Sequence, residues 1–477
     1  MFKSICRFYK YVLYFISLYS FIKYKDTIHS TKYLNRLEKH IYNCGPIGIK
    51  LIQSLIMYDN IIPESLSNKL QYTLENCRLH SWEYTKNIYY KKFKRHIYDD
   101  FEISTSDVSD TNNTNYIVGS GSIGQVYKLY SKYLQKYVAV KVKHPDITQE
   151  IQYFASTISR VLSICSKFVT IPYKNVIDNF VNNIQKQNDF MSEVTNTQKL
   201  RENFKYDTHI IIPEVYDYNE DIIIMSYHEG VEVTQVNKKL LPSVSNDINF
   251  ILLSSILVHD FIHADLHNGN WKIQLLDNNK YNIVIYDCGL TVSTHNVEFN
   301  KEIMFAFMDG NYNNLYDIFD KRYVPSAHEK PCVKVQKMSN FREHINIVLN
   351  NPALLPSQRC INTLKYAINN NILVNSNYIN LILSIIIPSR IHIYGLDRHA
   401  KIVNTNSYNG SKSIIVYYTY VFLLDKMNTY SSLRELLHTY LSKDASNIDF
   451  LKKWLYHTFG HDDIGVYKDI ITKYNNA

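Results

Sequence analysis

Residues 116–142 limit this chain's architecture more than any other stretch. Gly119-Ser-Gly-Ser-Ile-Gly124-Gln-Val126 puts three glycines within six residues, in a chain that has only 13 among 477. Ordinary usage of ~7% would supply roughly 20 more. With 41 tyrosines alongside, glycine persists chiefly where the backbone requires it. The spacing GxGxxGxV is shared by two kinds of phosphate-binding loop, and the residues after the third glycine separate them. A dinucleotide loop opens directly into a helix. Here Val126, Lys128 and Tyr130 alternate with Tyr127 and Leu129, a turn comes next, and Tyr137–Val142 forms a second apolar run. The glycines therefore sit at the tip of a β-hairpin. In that setting the missing side chains of Gly119, Gly121 and Gly124 let backbone N–H groups approach phosphate oxygens while Val126 packs over a base. A plain glycine-rich hairpin is the competing explanation.

Val138-Ala-Val-Lys141-Val142 buries one lysine in that second strand. A buried ammonium is costly unless paired. Nucleotide phosphate together with a helix carboxylate is the familiar solution, and Glu193, 52 residues on, is the candidate. The most specific segment is Phe261-Ile-His263-Ala-Asp265-Leu-His267-Asn-Gly-Asn270, followed by a strand and Tyr286-Asp287-Cys288-Gly289. Asp265 and Asn270 have the spacing HxDxxxxN, and Asp287 stands where DFG places its metal-binding aspartate. One carboxylate orients or deprotonates a hydroxyl or water, while an amide and a second carboxylate hold Mg²⁺. A rival arrangement sets His259, His263 and His267 on one helix face as metal ligands. It has no glutamate at the zincin position and no use for Asn270 or Asp287. Cys288 is expected to serve packing.

Two departures set this apart from peptide kinases. The position two residues after Asp265 is His267 rather than lysine, and only Thr291–Asn296 separate Leu290 from the next helical pattern, Val297–Met308. There is no Ala-Pro-Glu beyond it, so a peptide-binding activation segment has no room.

Bulk numbers add limits. The chain can bury one large or two to three modest cores, since 45% of it is apolar. The net charge of +8 is spread along the chain, which suits nucleotide or an anionic membrane surface and is a poor signature for nucleic acid. Seven cysteines without a CxxC pair fit an intracellular reducing compartment rather than secretion. No apolar run reaches the ~18 residues of a membrane-crossing helix; the longest are Tyr11–Ile22, Tyr378–Ile387 and Ile414–Leu424. Residues 1–25 combine five Lys/Arg with the first of these runs and no acid. They fit either an interfacial or organelle-targeting helix or an ordinary basic first helix.

Residues 28–100 carry helical periodicity, with Pro63–Glu64 opening a new helix, and 104–115 are a polar linker. Residues 147–205 are expected to be helical with a break near Pro172. Ile210–Ile212 and Ile222–Met225 are expected to pair as strands. From Leu240 on, helix is expected throughout except for Tyr281–Tyr286.

This ordered set resembles the UbiB/ADCK family of atypical kinases, linked to coenzyme Q and other prenyl-lipid chemistry. Cys44-Gly-Pro-Ile-Gly-Ile-Lys50-Leu-Ile-Gln53 is similar to the family's KxGQ helix, Ser122–Val126 to its SIGQV loop, and Gln187-Asn-Asp189 to its ExD motif. Glu193 then falls at the lysine-pairing glutamate, Ile224-Met225 through Gly230 resembles the hinge, and His263–Asn270 the HADPHPGN loop. The resemblance implies an α+β, two-lobed protein-kinase-like fold with a helical N-terminal extension. Its parts would be a basic segment 1–27, the extension 28–103, the linker, a β-rich N-lobe with helical insert 116–228, and a helical C-lobe 229–477.

It implies ATP and Mg²⁺ as cofactors, with Lys141, Glu193 and Asp265 catalytic. The nucleotide would meet Gly119, Gly121, Ser122, Gly124, Val126, Lys141 and Met225, and the metal Asn270 and Asp287. Lys50, Gln53 and Asp189 would form a regulatory clamp that favours ATP hydrolysis or small-molecule, quinone-like lipid chemistry over peptides. Ile52 and Gln187 depart from the family's glycine and acid, and Gly119–Ser122 replaces its alanine-rich loop. Two other functions stay open: a small-molecule phosphotransferase of the aminoglycoside or choline kinase type, and a non-catalytic, nucleotide-gated lipid-binding or scaffold protein. A peripheral membrane position or organelle targeting suits the family.

Overall fold

A computed structural model of the chain describes residues within the spans 2–24, 31–51, 79–103, 116–165, 174–300 and 313–372. Gln53, Ile52, Pro63–Glu64, the 104–115 linker, most of Val297–Met308 and both apolar runs beyond 377 lie outside the described residues. The chain forms two compact units. One comprises residues 1–202, 212–229 and 286–290; the other comprises 203–211, 230–285 and 291–477.

The first unit opens with helices α1 (Phe2–Tyr24) and α2 (Thr31–Asn43), then α3 (Trp82–Phe93) and α4 (Ile97–Asp100). The strands β1 (Phe101–Glu102), β2 (Ile117–Ser120), β3 (Gly124–Ser131) and β4 (Lys136–Lys143) come after them. Next are the helices α5 (Ile147–Cys165), α6 (Lys174–Gln187) and α7 (Phe190–Asn203), so the expected helical stretch is present on both sides of 166–173, and the expected break near Pro172 lies outside the described residues. The helical extension expected over 28–103 ends in β1, which pairs with β3. With β6 (Val215–Tyr218) and β7 (Ile222–Ser226), the sheet runs β1-β3-β4-β7-β6, and β2 also pairs with β3.

Strand alternation gives this sheet two different faces. Tyr127, Leu129, Val138, Val140, Val142, Ile222 and Ile224 point to one face and pack on Trp82, Tyr89, Ile97 and Phe101. Each such large apolar side chain contributes roughly 1.5–3 kcal/mol on burial. α3 is fixed there by its N-cap Ser81, whose Oγ accepts from Tyr84 N at 3.3 Å, and it stops at Lys94, a left-handed residue at φ 60°. The register sets Val126 opposite Lys141 and Lys141 opposite Ile223; the next row is Lys128, Ala139 and Met225. Those two rows lie on the other face.

The aromatic stripe of α1 is covered by this same unit. Tyr11, Tyr14, Phe15 and Leu18 are buried, with Tyr11 edge-on to Phe154 of α5 and its hydroxyl donating to Glu150 at 2.7 Å. Among the described residues no helix is long and apolar enough to cross a membrane.

The second unit contains β5 (Ile210–Ile211), α8 (Leu241–Leu257), β8 (Ile262–His263), β9 (Trp271–Leu275), β10 (Tyr281–Ile285) and β11 (Thr291–Val292), then α9 (Asn313–Lys321) and α10 (Pro331–Leu349). Two expectations need correction here. Ile210–Ile211 pairs in parallel with β10, while Ile222–Ser226 pairs with Val215–Tyr218. Pro213 lies between the two runs, and a residue without an N–H cannot continue a ladder. The stretch after Leu240 also holds β8, β9 and β11 besides the expected β10. Two of these have two residues each, too short for any periodicity to register.

Candidate functional site

In the first unit the glycine segment is the expected hairpin tip. Gly121 N donates to Gly124 O at 2.9 Å, closing the turn, and His144 N donates to Ile123 O at 2.8 Å. The three glycines have different reasons to be there. A Cβ on Gly124 would lie 2.9 Å from Val142 O, so packing within the protein requires that glycine. A Cβ on Gly119 would meet nothing within 4 Å, and one on Gly121 only Gly124 O at 3.8 Å. Their bare backbone answers no internal need, and it suits close approach by an external ligand. Among the described residues none accepts from the Ser122 N–H, which leaves a donor of the kind an anion takes.

Lys141, in the row beside Val126, is the electrostatic centre of this unit. Its Nζ lies 2.5 Å from Glu193 Oε1 and 3.3 Å from Asp287 Oδ2. Both helix and loop are built to deliver those carboxylates. Asp189 caps α7, its Oδ1 accepting from Met191 N at 3.0 Å and its Oδ2 from Ser192 Oγ at 2.6 Å. Its own backbone oxygen accepts from Glu193 N at 3.0 Å. Ser192's hydrogen bond leads in holding the Asp189 carboxyl below its ordinary range. Asp189, expected in the regulatory clamp, is thus also the residue that starts the Glu193 helix.

Asp287 is held by Gly289, whose N–H donates to Asp287 Oδ1 at 2.9 Å. A Cβ at Gly289 would sit 3.0 Å from that oxygen and 3.5 Å from Glu193 Oε2. Cys288 between them is fully buried, its thiol pushed up to about 12 by burial, which fits the packing role expected of it.

Burial disfavours the Lys141 ammonium, but Asp287 and Glu193 outweigh it and hold the amine charged, above its ordinary range. Burial pushes the Glu193 carboxyl up to about 7 against the opposing Lys141 charge. Glu193 is therefore the member that takes up a proton first as pH falls. Its second oxygen, Oε2, is buried with no hydrogen-bond partner among the described residues. Sequence reasoning missed Phe190, whose buried ring lies 5.2 Å from Lys141 Nζ and 4.7 Å from Lys143 Nζ. An aromatic directly after a helix cap gives no distinguishing signal, so only the structure exposes this cation–π contact.

Met225 lies beside Ala139 on the Lys141 face. The hinge continues through Ser226, whose Oγ is 2.8 Å from His228 Nε2, and Tyr286 OH donates to His228 O at 2.8 Å. Ser226, Tyr227, His228 and Glu229 line a cavity of about 560 Å³ together with Lys128 and Tyr137. Lys50 lies in a helical stretch and is half-buried. Close packing appears two residues earlier, at Gly48, where a Cβ would clash with Cys44 Cβ and whose carbonyl accepts from Tyr14 OH at 2.8 Å.

In the second unit the segment His263–Asn270 is a strand end, a turn and a short 3₁₀ helix, so His259, His263 and His267 do not share a helix face. Each of the last two serves the loop. His263 Nδ1 accepts from Asp265 N at 3.2 Å, and His267 Nδ1 accepts from Gly269 N at 3.1 Å. Asn270 Nδ2 donates to Asp265 O at 2.8 Å. That bond orients the amide, leaving Oδ1 without a donor among the described residues, as a metal-ligating amide requires. The short segment after Leu290 is tied to Asp260. Its carboxylate accepts from Ser293 Oγ, Thr294 N, Thr294 Oγ1, His295 N and Asn300 Nδ2 at 2.6–3.1 Å.

Residues 87–319 match the ABC1 atypical kinase-like domain. A probable protein kinase UbiB of Tolumonas auensis is 23% identical over 323 residues, 64% of this chain and 56% of that protein. An ABC1 family protein of Saccharomyces cerevisiae, named as mitochondrial, is 26% identical over 54% of this chain and 42% of its own length. The chloroplastic Activity of BC1 Complex Kinase 3 of Arabidopsis thaliana is 26% identical over 32% of this chain and 23% of its own. A solved structure, the complex of Rv3197 with erythromycin from Mycobacterium tuberculosis, shares 15% identity at a TM-score of 0.38, covering 74% of this chain and 92% of that one. The match defines an atypical kinase-like protein of α+β fold. Its curated relatives are named as UbiB, AarF domain-containing and ABC1 family proteins, the group that the sequence motifs resemble. It spans about half the length of the curated relatives it matches.

Proposed function

We propose that this chain binds Mg-ATP and acts as an atypical ATPase or kinase in lipid- or quinone-related chemistry rather than on peptides. The observation that carries it is Lys141 held between Glu193 at 2.5 Å and Asp287 at 3.3 Å, beside a loop whose Gly119 and Gly121 leave open backbone. Bound Mg-ATP would supply the transferable phosphoryl group and the charge that polarises it. On the protein side, Lys141 presents its ammonium to phosphate and Glu193 keeps it aimed. Ser122 offers a backbone N–H, Asp287 and Asn270 offer oxygens to the metal, and Asp265 orients the accepting hydroxyl or water. Val126 and Met225 flank the base. Only six residues, Thr291–Asn296, lie between Leu290 and the next helical pattern, several of them hydrogen-bonded to Asp260, which supports a non-peptide acceptor.

The test is phosphate release from Mg-ATP by the purified chain, with and without anionic liposomes or phenolic quinone precursors, against Asp287→Asn. Turnover that the substitution abolishes is expected. Release no greater than that of the Asp287→Asn control sinks the catalytic claim, and ATP-induced thermal stabilisation without release would make the chain a nucleotide-gated binding protein.

A further inference from the structure

Behind the glycine loop runs a closed set of hydrogen bonds whose direction can be assigned from its ends. At one end the His80 backbone N–H, a donor only, points at Gln125 Oε1 at 3.0 Å, which fixes the side-chain amide. Gln125 Nε2 must then donate to Tyr127 OH at 2.6 Å. Tyr127 in turn donates to Thr85 Oγ1 at 2.7 Å, and Thr85 to His80 Nε2 at 3.0 Å. At the other end Gly121 O, an acceptor only, lies 3.0 Å from His144 Nε2, so that nitrogen carries a hydrogen; Ser120 Oγ, 3.4 Å from the same nitrogen, is the longer contact and can accept as well. A neutral His144 then has a bare Nδ1, which accepts from His80 Nδ1–H at 2.8 Å.

The two ends were assigned independently, and they meet without conflict. His80 must be the Nδ1–H tautomer and His144 the Nε2–H tautomer. The charged form of His144 breaks the chain. It would turn His80 over, make Thr85 donate to Tyr127, and strand the buried Tyr127 hydroxyl proton, since Gln125 Nε2 already donates there. Burial and His144 pull His80 down to about 3, and burial lowers His144, in keeping with neutral rings.

His144 grips the loop twice, its own N–H donating to Ile123 O and its ring to Gly121 O. A trans peptide is planar, with C=O and the following N–H opposed. Turning the Gly121 carbonyl toward His144 therefore turns the Ser122 N–H away from it, and among the described residues none accepts from that N–H. We infer that His144, set by His80 from the N-terminal end of α3, is a positioning residue that aims the Ser122 N–H at nucleotide phosphate. This rests on the nucleotide-binding function proposed above, and it makes the helical extension part of the phosphate loop's support.

Mg-ATP and adenosine affinities are measured by calorimetry on the full chain for wild type, His144→Phe and His144→Gln. Losing the aimed donor is expected to weaken ATP about tenfold or more in His144→Phe, the scale of one hydrogen bond to a charged group, with adenosine changed less than about twofold. His144→Gln, which restores a donor near the Nε2 position, should recover much of the ATP affinity. Parallel loss of both ligands, or no loss, overturns the inference. Imidazole ¹⁵N NMR of wild type, assigned with His144→Gln and His80→Gln, should show His80 as Nδ1–H and His144 as Nε2–H, both neutral at pH 6. The opposite tautomers or a charged ring overturn it even if a variant fails to fold. If wild type binds neither ligand, the nucleotide-binding function fails, and the phosphate role of His144 falls with it. The tautomers would then decide the hydrogen-bond chain alone.

Discussion

Lys141→Met is the most informative perturbation of the site. Glu193 is only 2% exposed, and without Lys141 its carboxylate loses a partner 2.5 Å away. Removing one member of a buried pair costs ~3–5 kcal/mol when the other must stay charged. Here the other can escape by taking a proton, so the cost depends on pH. Burial already raises the folded-state carboxyl to about 7, from an unfolded value near 4.5. A raised pKa means stability is fully present below the unfolded value and is lost as pH climbs toward the folded one. In wild type that loss ends near 7; in Lys141→Met the opposing charge is gone and the loss continues above 7. At about 1.4 kcal/mol per pH unit, the gap between mutant and wild type should widen by ~2 kcal/mol from pH 7 to 8.5. Adding Glu193→Gln removes the group that titrates, so the double variant should be more stable than Lys141→Met at pH 8.5 and free of the extra slope. Urea denaturation at pH 5.5, 7 and 8.5 reads this. A penalty that does not change with pH, or a double variant no better than the single one, would refute an uncompensated Glu193 as the cause.

Gly289→Ala places a methyl 3.0 Å from Asp287 Oδ1, and magnesium-dependent phosphate release should fall at least about tenfold with little change in the denaturation midpoint. Asp189→Ala removes the α7 cap and should cost ~1 kcal/mol, measured by urea denaturation; Asp189→Asn, which keeps one acceptor oxygen for Met191 N, should cost less. Asp260→Ala leaves five donors without their acceptor, and should cost ~1–3 kcal/mol while amide exchange rises at Thr294 and His295. Because its hydrogen bonds outweigh burial and depress the Asp260 carboxyl, wild type should lose that contribution as pH falls below the ordinary aspartate value near 3.8, and Asp260→Ala should not.

Sequence periodicity and charge chemistry were enough for the hairpin, the buried lysine and its glutamate. Each is a local pattern with a stringent physical need: bare backbone, an unpaired ammonium, a helix face. Resemblance pointed to Asp189, while its capping of the Glu193 helix needed coordinates. The short strands β8 and β11 have no periodicity to detect, and their pairing is decided by contacts about 30 residues apart. In β9, expected to be helical, Trp271 and Ile273 alternate with polar neighbours and both are buried, a period-2 pattern too short to outweigh the helical stretch around it. The His80–His144 pair spans 64 residues and links types with no shared motif. A hydrogen-bond chain of that kind has no linear signature, because its logic lies in directionality across separate elements.

The division of the chain into units has a consequence for how the protein is made. The backbone passes between the units five times, and residues 286–290 belong to the first unit although their neighbours on both sides belong to the second. Lys141 and Asp287 are 146 residues apart, so a ribosome that has released the whole hairpin sheet has not yet released one of its lysine's two counter-ions. During that interval Lys141 has only Glu193. The first unit cannot reach its final charge balance until residues 230–285 of the second have been synthesised, which makes this closure a late, long-range step in folding. A fragment ending at the hinge would retain the sheet and lack Asp287.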